Sequence, residues 1–354
     1  MPALLLCALA LLAACAGAPP SIGHGELLAP TAVGSWFRDP AAAEPETVVL
    51  MVGGHADVEV AAAAQLVRSQ GRRLGYWLEI GRDEALANAH PEWMASLQGH
   101  DEWQREHGAH AVGAGEVVQV WPWVPVAYAE AFAAHRERVR ARLAALPPAD
   151  FVLLNDLQGP PASCGCGNIL CRWATDYTLG GRQPVRSATP LGADAAARFV
   201  QEVQAMVPAS RVIPVWVTEC EEADTTADGA CHGVGCYHGA CWREFDRQWA
   251  PLRAVTPQVA LLLPYLAFRR DLPRFGATAG WVGFAIEHLR TREHERHGRE
   301  LPGSSLIAVL EGWNAQADVA AQLAQARAAG VHDVLVARAP IEQSFVPRVR
   351  RATH

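Results

Sequence analysis

Asn155-Asp156 closes the apolar run "DFVLLND", and Glu311 closes another, "SSLIAVLEGW". Two carboxyl groups brought to one place can divide acid and base work. One donates a proton and the other stays ionised, which is what glycoside cleavage requires. Asp156 suits the first role and Glu311 the role of nucleophile or base. Glu219, beside Cys220, is a reserve acid. Around them stand side chains that could bind a sugar: Glu79, Arg82, Asn155 and Tyr265, with Trp121, Trp123, Trp216 and Trp313 as candidates to stack on sugar faces. Each has a plainer reading. A strand-terminal carboxylate also caps the next helix, and half or more of the 12 tryptophans should be packing residues. Trp93 and Trp103 suit either role.

Those residues need a scaffold that gathers run ends on one face. From Thr47 onward, short aliphatic runs alternate with longer helical stretches. The runs are 47–54, 73–80, 116–123, 150–156, 211–219, 258–265, 304–313 and 331–338. Near-continuous apolar runs of this length suit parallel strands buried on both faces. The stretches between them carry apolar stripes at helical spacing. In "AYAEAFAAHRERVRARLAAL" the arginines fall opposite the stripe, and Gly71 reads as a helix stop. Eight strand–helix units predict a single α/β domain, a (β/α)8 TIM-type barrel over 47–350, with long Cys-rich loops after strands four and five. An open doubly wound sheet is the rival, but "VGGHAD" after the first run lacks the G-x-G-x-x-G fingerprint. In a barrel, Glu79, Asp156, Glu219 and Glu311 all arrive at the C-terminal mouth, where such folds build their sites.

The sequence resembles two groups of proteins. Asn155-Asp156 at the end of strand four, Glu311 in "VLEGWN" at the end of strand seven, Tyr265 in "LLPYLAF" and Arg82 near strand two are similar to the pattern of clan A retaining glycosidases. In that clan an Asn-Glu pair and a second Glu are the acid and the nucleophile. Asp156 stands where the clan has Glu and is one methylene shorter. "FVLLND…CGCGN…C" and "NAHPEWMASLQGHDEW" resemble uncharacterised glycosidase-like barrel proteins of bacteria. Both likenesses imply a barrel; the first implies action on carbohydrate with no cofactor required, and the second supports the fold more than the reaction.

The chain has nine cysteines. Apart from Cys7 and Cys15 they follow runs four and five: Cys164, Cys166 and Cys171, then Cys220, Cys231, Cys236 and Cys241. In an exported protein they would staple two long loops by disulfides, with at least one thiol left over. Interleaved with His232 and His238, they could instead hold a structural zinc ion or iron–sulfur centre, although the spacing is not C-x₂-C…C-x₂-C.

The first 15 residues read as a signal peptide. The apolar run Ala3–Ala14 is too short to span a bilayer, and Leu12-Ala13-Ala14-Cys15 resembles a lipobox whose cysteine is lipidated. This predicts an exported chain held to the membrane only through a lipid on Cys15. Residues 16–46 read as a tether and entry segment. There is no lysine among the 30 basic residues, which excludes Schiff-base chemistry and a P-loop. The formal charge of −7 and the absence of a basic patch argue against nucleic acid. No G-x-S-x-G elbow is present, which argues against an α/β-hydrolase. Three functions stay open: a glycoside hydrolase, a non-catalytic glycan- or peptide-binding surface lipoprotein, and a Cys/His metalloprotein. The oligomeric state is not legible.

Overall fold

The structure, a computed structural model, describes residues 21–39, 45–90, 93, 116–119, 124–157, 191, 194–217, 249–263, 280–315, 317–341 and 348–351. Eight parallel strands close into a barrel. In chain order they are β1 (His24–Leu28), β2 (Thr47–Met51), β3 (Arg73–Glu79), β5 (Phe151–Asn155), β6 (Arg211–Val217), β7 (Val259–Leu263), β8 (Leu306–Glu311) and β9 (Asp333–Ala337). Two further strands, β4 (Glu116–Gln119) and β10 (Arg348–Arg351), pair antiparallel outside it. Followed strand to strand, the registers close eight residues out of step. That stagger is the shear of a (β/α)8 barrel.

The barrel is as expected, but its membership differs in two places. The run at 116–123 supplies no barrel strand; its residues 116–119 form β4 instead. "EVVQ" carries a polar residue at each end, which suits a strand buried on both faces poorly. The missing barrel strand lies inside the expected tether. β1, "HGELL", sits between β2 and β9, so the barrel begins at His24 rather than Thr47. Its outward face carries His24 and Glu26, which hid it from an apolar-run search. Glu26 is fully buried there and is gripped by Arg338, with Nε to Oε2 at 2.6 Å and Nη2 to Oε1 at 2.9 Å. Arg338 is therefore a link between β9 and β1.

Strand alternation divides the core in two. Val49, Trp77, Leu153, Ile213, Val309 and Leu335 fill the barrel interior with their layer-mates. Gly75 makes that packing possible, since a Cβ there would lie 2.8 Å from Val49 Cγ2. The opposite faces pack against helices Asp57–Ser69, Ala129–Ala145, Ala195–Met206, Trp281–His297 and Val319–Ala328. Gly71 follows the first of these at φ +67° and donates to Arg68 O, a left-handed stop as expected. No helix among the described residues is long and apolar enough to cross a membrane.

Candidate active site

Inward-facing positions at the C-terminal ends of the strands form the mouth. The alternation that points Trp77, Leu153 and Val309 inward does the same for Glu79, Asn155 and Glu311. Glu79 and Asn155 are register partners on adjacent strands. Asn155 Nδ2 donates to Glu79 Oε2 at 2.8 Å, and Trp77 Nε1 donates to Glu79 Oε1 at 2.9 Å. Both Glu79 oxygens thus accept from groups that can only donate there, an arrangement made for a carboxylate. Asn155 is 3 % exposed, and its Oδ1 has no hydrogen-bond partner among the described residues. Gly53 passes so close that a Cβ there would lie 3.3 Å from Glu79 Cγ.

Asp156 follows Asn155, so in continued strand geometry it would face outward. Its φ is +62°, and it is the only non-glycine residue at positive φ among those described. Asp tolerates this left-handed region better than most residues, at a cost of about 1–2 kcal/mol. The ladder still runs through the turn: Ile80 N–H donates to Asn155 O at 3.0 Å and Gly81 N–H to Asp156 O at 3.2 Å. The turn sets the Asp156 carboxyl against Glu79, with which it shares a hydrogen bond. Burial pushes its pKa well above the usual carboxylate range. The negative charge of Glu79 and the shared hydrogen bond push it further, while Arg82 pulls it back. The surroundings of Asp156 thus favour its protonated form.

The end of β3 is held from outside. Arg138, on helix Ala129–Ala145, donates through Nη2 to Glu79 O at 2.9 Å and Ile80 O at 3.1 Å. Its Nε meets Asp83 Oδ2 at 2.9 Å, while Asp83 Oδ1 caps helix Glu84–Ala89 by accepting from Leu86 N–H at 2.9 Å. Fully buried His135 completes the cluster. Val124 O, 2.8 Å from Nε2, can only accept, and Arg138 Nη2, 3.3 Å from Nδ1, can only donate. The imidazole is therefore the neutral Nε2–H tautomer. Burial and Arg138 lower its pKa to about 4, against the opposing pull of Val124 O and Asp83. One turn on, Arg142 Nη2 donates to Val52 O at 2.9 Å and also reaches His55 O and Asp57. The arginine face of this helix clasps two strand ends, where the sequence suggested only a polar side.

Glu311 is buried at the end of β8. The side chain of fully buried Gln322 completes its backbone bonding: Oε1 accepts from Glu311 N–H at 3.1 Å and Nε2 donates to Glu311 O at 2.8 Å. Trp313 lies partly buried on top of the interior core, beside the mouth. Trp93 stacks on His90 at 3.7 Å and packs against Val124 and Tyr128, a loop-packing role.

Two sequence assignments are corrected. Trp216 does not face the mouth. It lies between Val215 and Val217 on the outward face, buried in the helix layer 6.2 Å from the ring of Trp249. An even-numbered position on β6 points away from the barrel axis, which the apolar run alone did not reveal. Arg82 follows the third barrel strand, not the second, because β1 precedes the run counted first. Its likeness to the clan A arginine is lost with that shift. Asp156 and Glu311 do end the fourth and seventh barrel strands. Trp121, Trp123, Glu219, Tyr265, Cys15 and the seven loop cysteines lie outside the described residues. Among those described, no three His, Cys, Asp or Glu residues could hold a metal ion. Sequence reasoning missed Arg138, Gln322 and Asp83, and it gave Glu79 to substrate rather than to Asp156.

No family model and no curated protein matches the chain. Among solved structures, an L-ribulose 3-epimerase is similar at TM-score 0.41 and 13 % identity, covering 89 % of this chain and 80 % of that one. The C-terminal domain of a putative chitinase from Desulfitobacterium hafniense is similar at 0.41 and 9 %, covering 82 % and 67 %. A family 1 β-glucosidase from Thermotoga maritima is similar at 0.37 and 11 %, covering 83 % and 73 %. At these TM-scores none of them bears on activity, and the barrel assignment rests on the strand pairing alone.

Proposed function

We propose that the protein hydrolyses a carbohydrate at the mouth of the barrel, with Asp156 as the acid. The observation that carries this reading is the placement of Asp156 against Glu79 by a left-handed turn at the strand end, where burial and the neighbouring carboxylate raise its pKa. A carboxylic acid kept neutral at the pH of the surroundings is what protonation of a leaving glycosidic oxygen needs. As the C–O bond breaks, the Asp156 proton passes to the departing oxygen. In a retaining reaction Glu311 bonds to the anomeric carbon as that C–O bond breaks, and water that gives its proton back to Asp156 later displaces it; in an inverting reaction Glu311 takes a proton from the water that attacks in the same step. Glu79 gives Asp156 a reason to recover its proton, because two touching carboxylates resist ionising together. Asn155 Oδ1, without a partner among the described residues, suits a sugar hydroxyl, and Trp313 suits the apolar face of a sugar ring. Glu219 remains the reserve acid.

In this reading the chain is exported, lipidated on Cys15, and needs no cofactor. Its loop cysteines are disulfide staples, and a metal assay on the purified protein separates that from structural zinc or iron–sulfur. A glycan-panel hydrolysis screen tests the function, with Asp156→Asn and Glu311→Gln as controls. Turnover lost in both supports it. Turnover unchanged in both refutes the site. Glycan binding without turnover in the wild type would favour the non-catalytic lipoprotein.

A further inference from the structure

Arg138 is one of four arginines on an eight-residue stretch, "HRERVRAR", and nothing in its spacing sets it apart. Its contacts do. The guanidinium reaches the carbonyls of two consecutive residues, Glu79 and Ile80, on either side of the peptide that fixes the direction of the Glu79 side chain. Glu79 is the last register partner of the β3–β5 ladder; backbone bonds from Ile80 N–H to Asn155 O and from Gly81 N–H to Asp156 O continue into the turn, and Arg138 holds the same stretch from outside. The same guanidinium is anchored by Asp83 and supported by His135, so it is itself held in place.

We propose that Arg138 is a positioning residue for the carboxyl pair: its hold on Glu79 O and Ile80 O keeps the Glu79 carboxylate against Asp156. The inference rests on reading Asp156 as the acid of the site. The charged and titratable groups facing Arg138 are Asp83, Glu79, Arg142 and His135. A lysine copies the grip only in part: its one nitrogen can reach the carbonyls that Nη2 holds, but it has no second nitrogen for the Asp83 anchor that Nε makes.

The test uses the mature full-length chain. Infrared spectra taken across pH follow the C=O band of the protonated Asp156 carboxyl, identified by its loss in Asp156→Asn. In Arg138→Met, Glu79 is less firmly held, so the Asp156 band should titrate at lower pH than in the wild type. Arg138→Lys should recover part of the difference. On any substrate the panel yields, kcat should fall about 10- to 100-fold with little change in KM, the scale expected of a misplaced group. Asp83→Asn keeps the helix cap but loosens the anchor of Arg138. It should move the band the same way by less, and it serves if Arg138→Met does not fold. An Asp156 band that is unchanged or titrates higher in these variants overturns the proposal. A wild type with no Asp156 band overturns the acid reading, and the proposal with it.

Discussion

Replacing His135 with glutamine should remove much of the acid sensitivity of the fold. His135 is fully buried, held neutral between a carbonyl that takes its one proton and a guanidinium that fills its other nitrogen. A second proton would set N–H against N–H. In the unfolded chain the imidazole protonates near 6.5; in the folded protein it does so near about 4. Between those values only the unfolded state takes up the proton. The stability His135 contributes is therefore intact above 6.5, falls as pH drops, and is gone below about 4. At ~1.36 kcal/mol per pH unit, that loss amounts to about 3 kcal/mol. The assay is urea unfolding of wild type and His135→Gln at a series of pH values between 7.5 and 4, with the disulfide state held constant. Carboxylates titrate in both proteins and cancel in the difference. The advantage of wild type over variant should shrink by about 3 kcal/mol across the series. Two curves that stay parallel refute the reasoning. If the variant does not fold, the imidazole signals of the wild type decide: His135 must remain neutral at pH 6.

Other outcomes follow from the same contacts. Glu79→Gln removes the like charge beside Asp156, so the alkaline limb of activity should move to lower pH; Arg82→Ala should move it higher. Because its folded value is raised, Asp156 contributes its full stability below the ordinary 3.8 and loses it as pH rises through the folded value. Asp156→Asn should therefore gain on the wild type in alkaline unfolding experiments. Gln322→Leu strips two buried hydrogen bonds from the Glu311 backbone and should cost roughly 2–4 kcal/mol in chemical denaturation. Trp216→Ala should cost about 3–5 kcal/mol of stability and leave glycan affinity unchanged. Trp313→Ala should do the reverse, weakening glycan binding about ten-fold with little loss of stability.

The division between what was legible and what was not follows physical lines. Seven of the eight barrel strands announce themselves because strands buried on both faces must be apolar along their length. β1 does not, because Glu26 is buried through an ion pair with Arg338, more than three hundred residues away. A local search cannot see a partner that distant. The strand-end positions of Glu79, Asn155 and Glu311 were readable because each closes an apolar run, although the run did not say which of them face inward. Asp156 was readable as a residue but not as a geometry, since its contact with Glu79 depends on one left-handed backbone angle. Trp216 was misread because an uninterrupted apolar run carries no mark of which face is which. Arg138 and Gln322 hold strand ends through tertiary contacts. In sequence they look like an ordinary helix arginine and an ordinary helix glutamine.

The central claim is that burial, reinforced by the Glu79 carboxylate against it, favours the protonated form of Asp156 in the native protein. Infrared spectroscopy at neutral pH tests it without knowledge of the substrate. The wild type should show a protonated-carboxyl band that disappears in Asp156→Asn and titrates at lower pH in Glu79→Gln. A wild-type spectrum without that band, or a band that survives Asp156→Asn, would contradict the account.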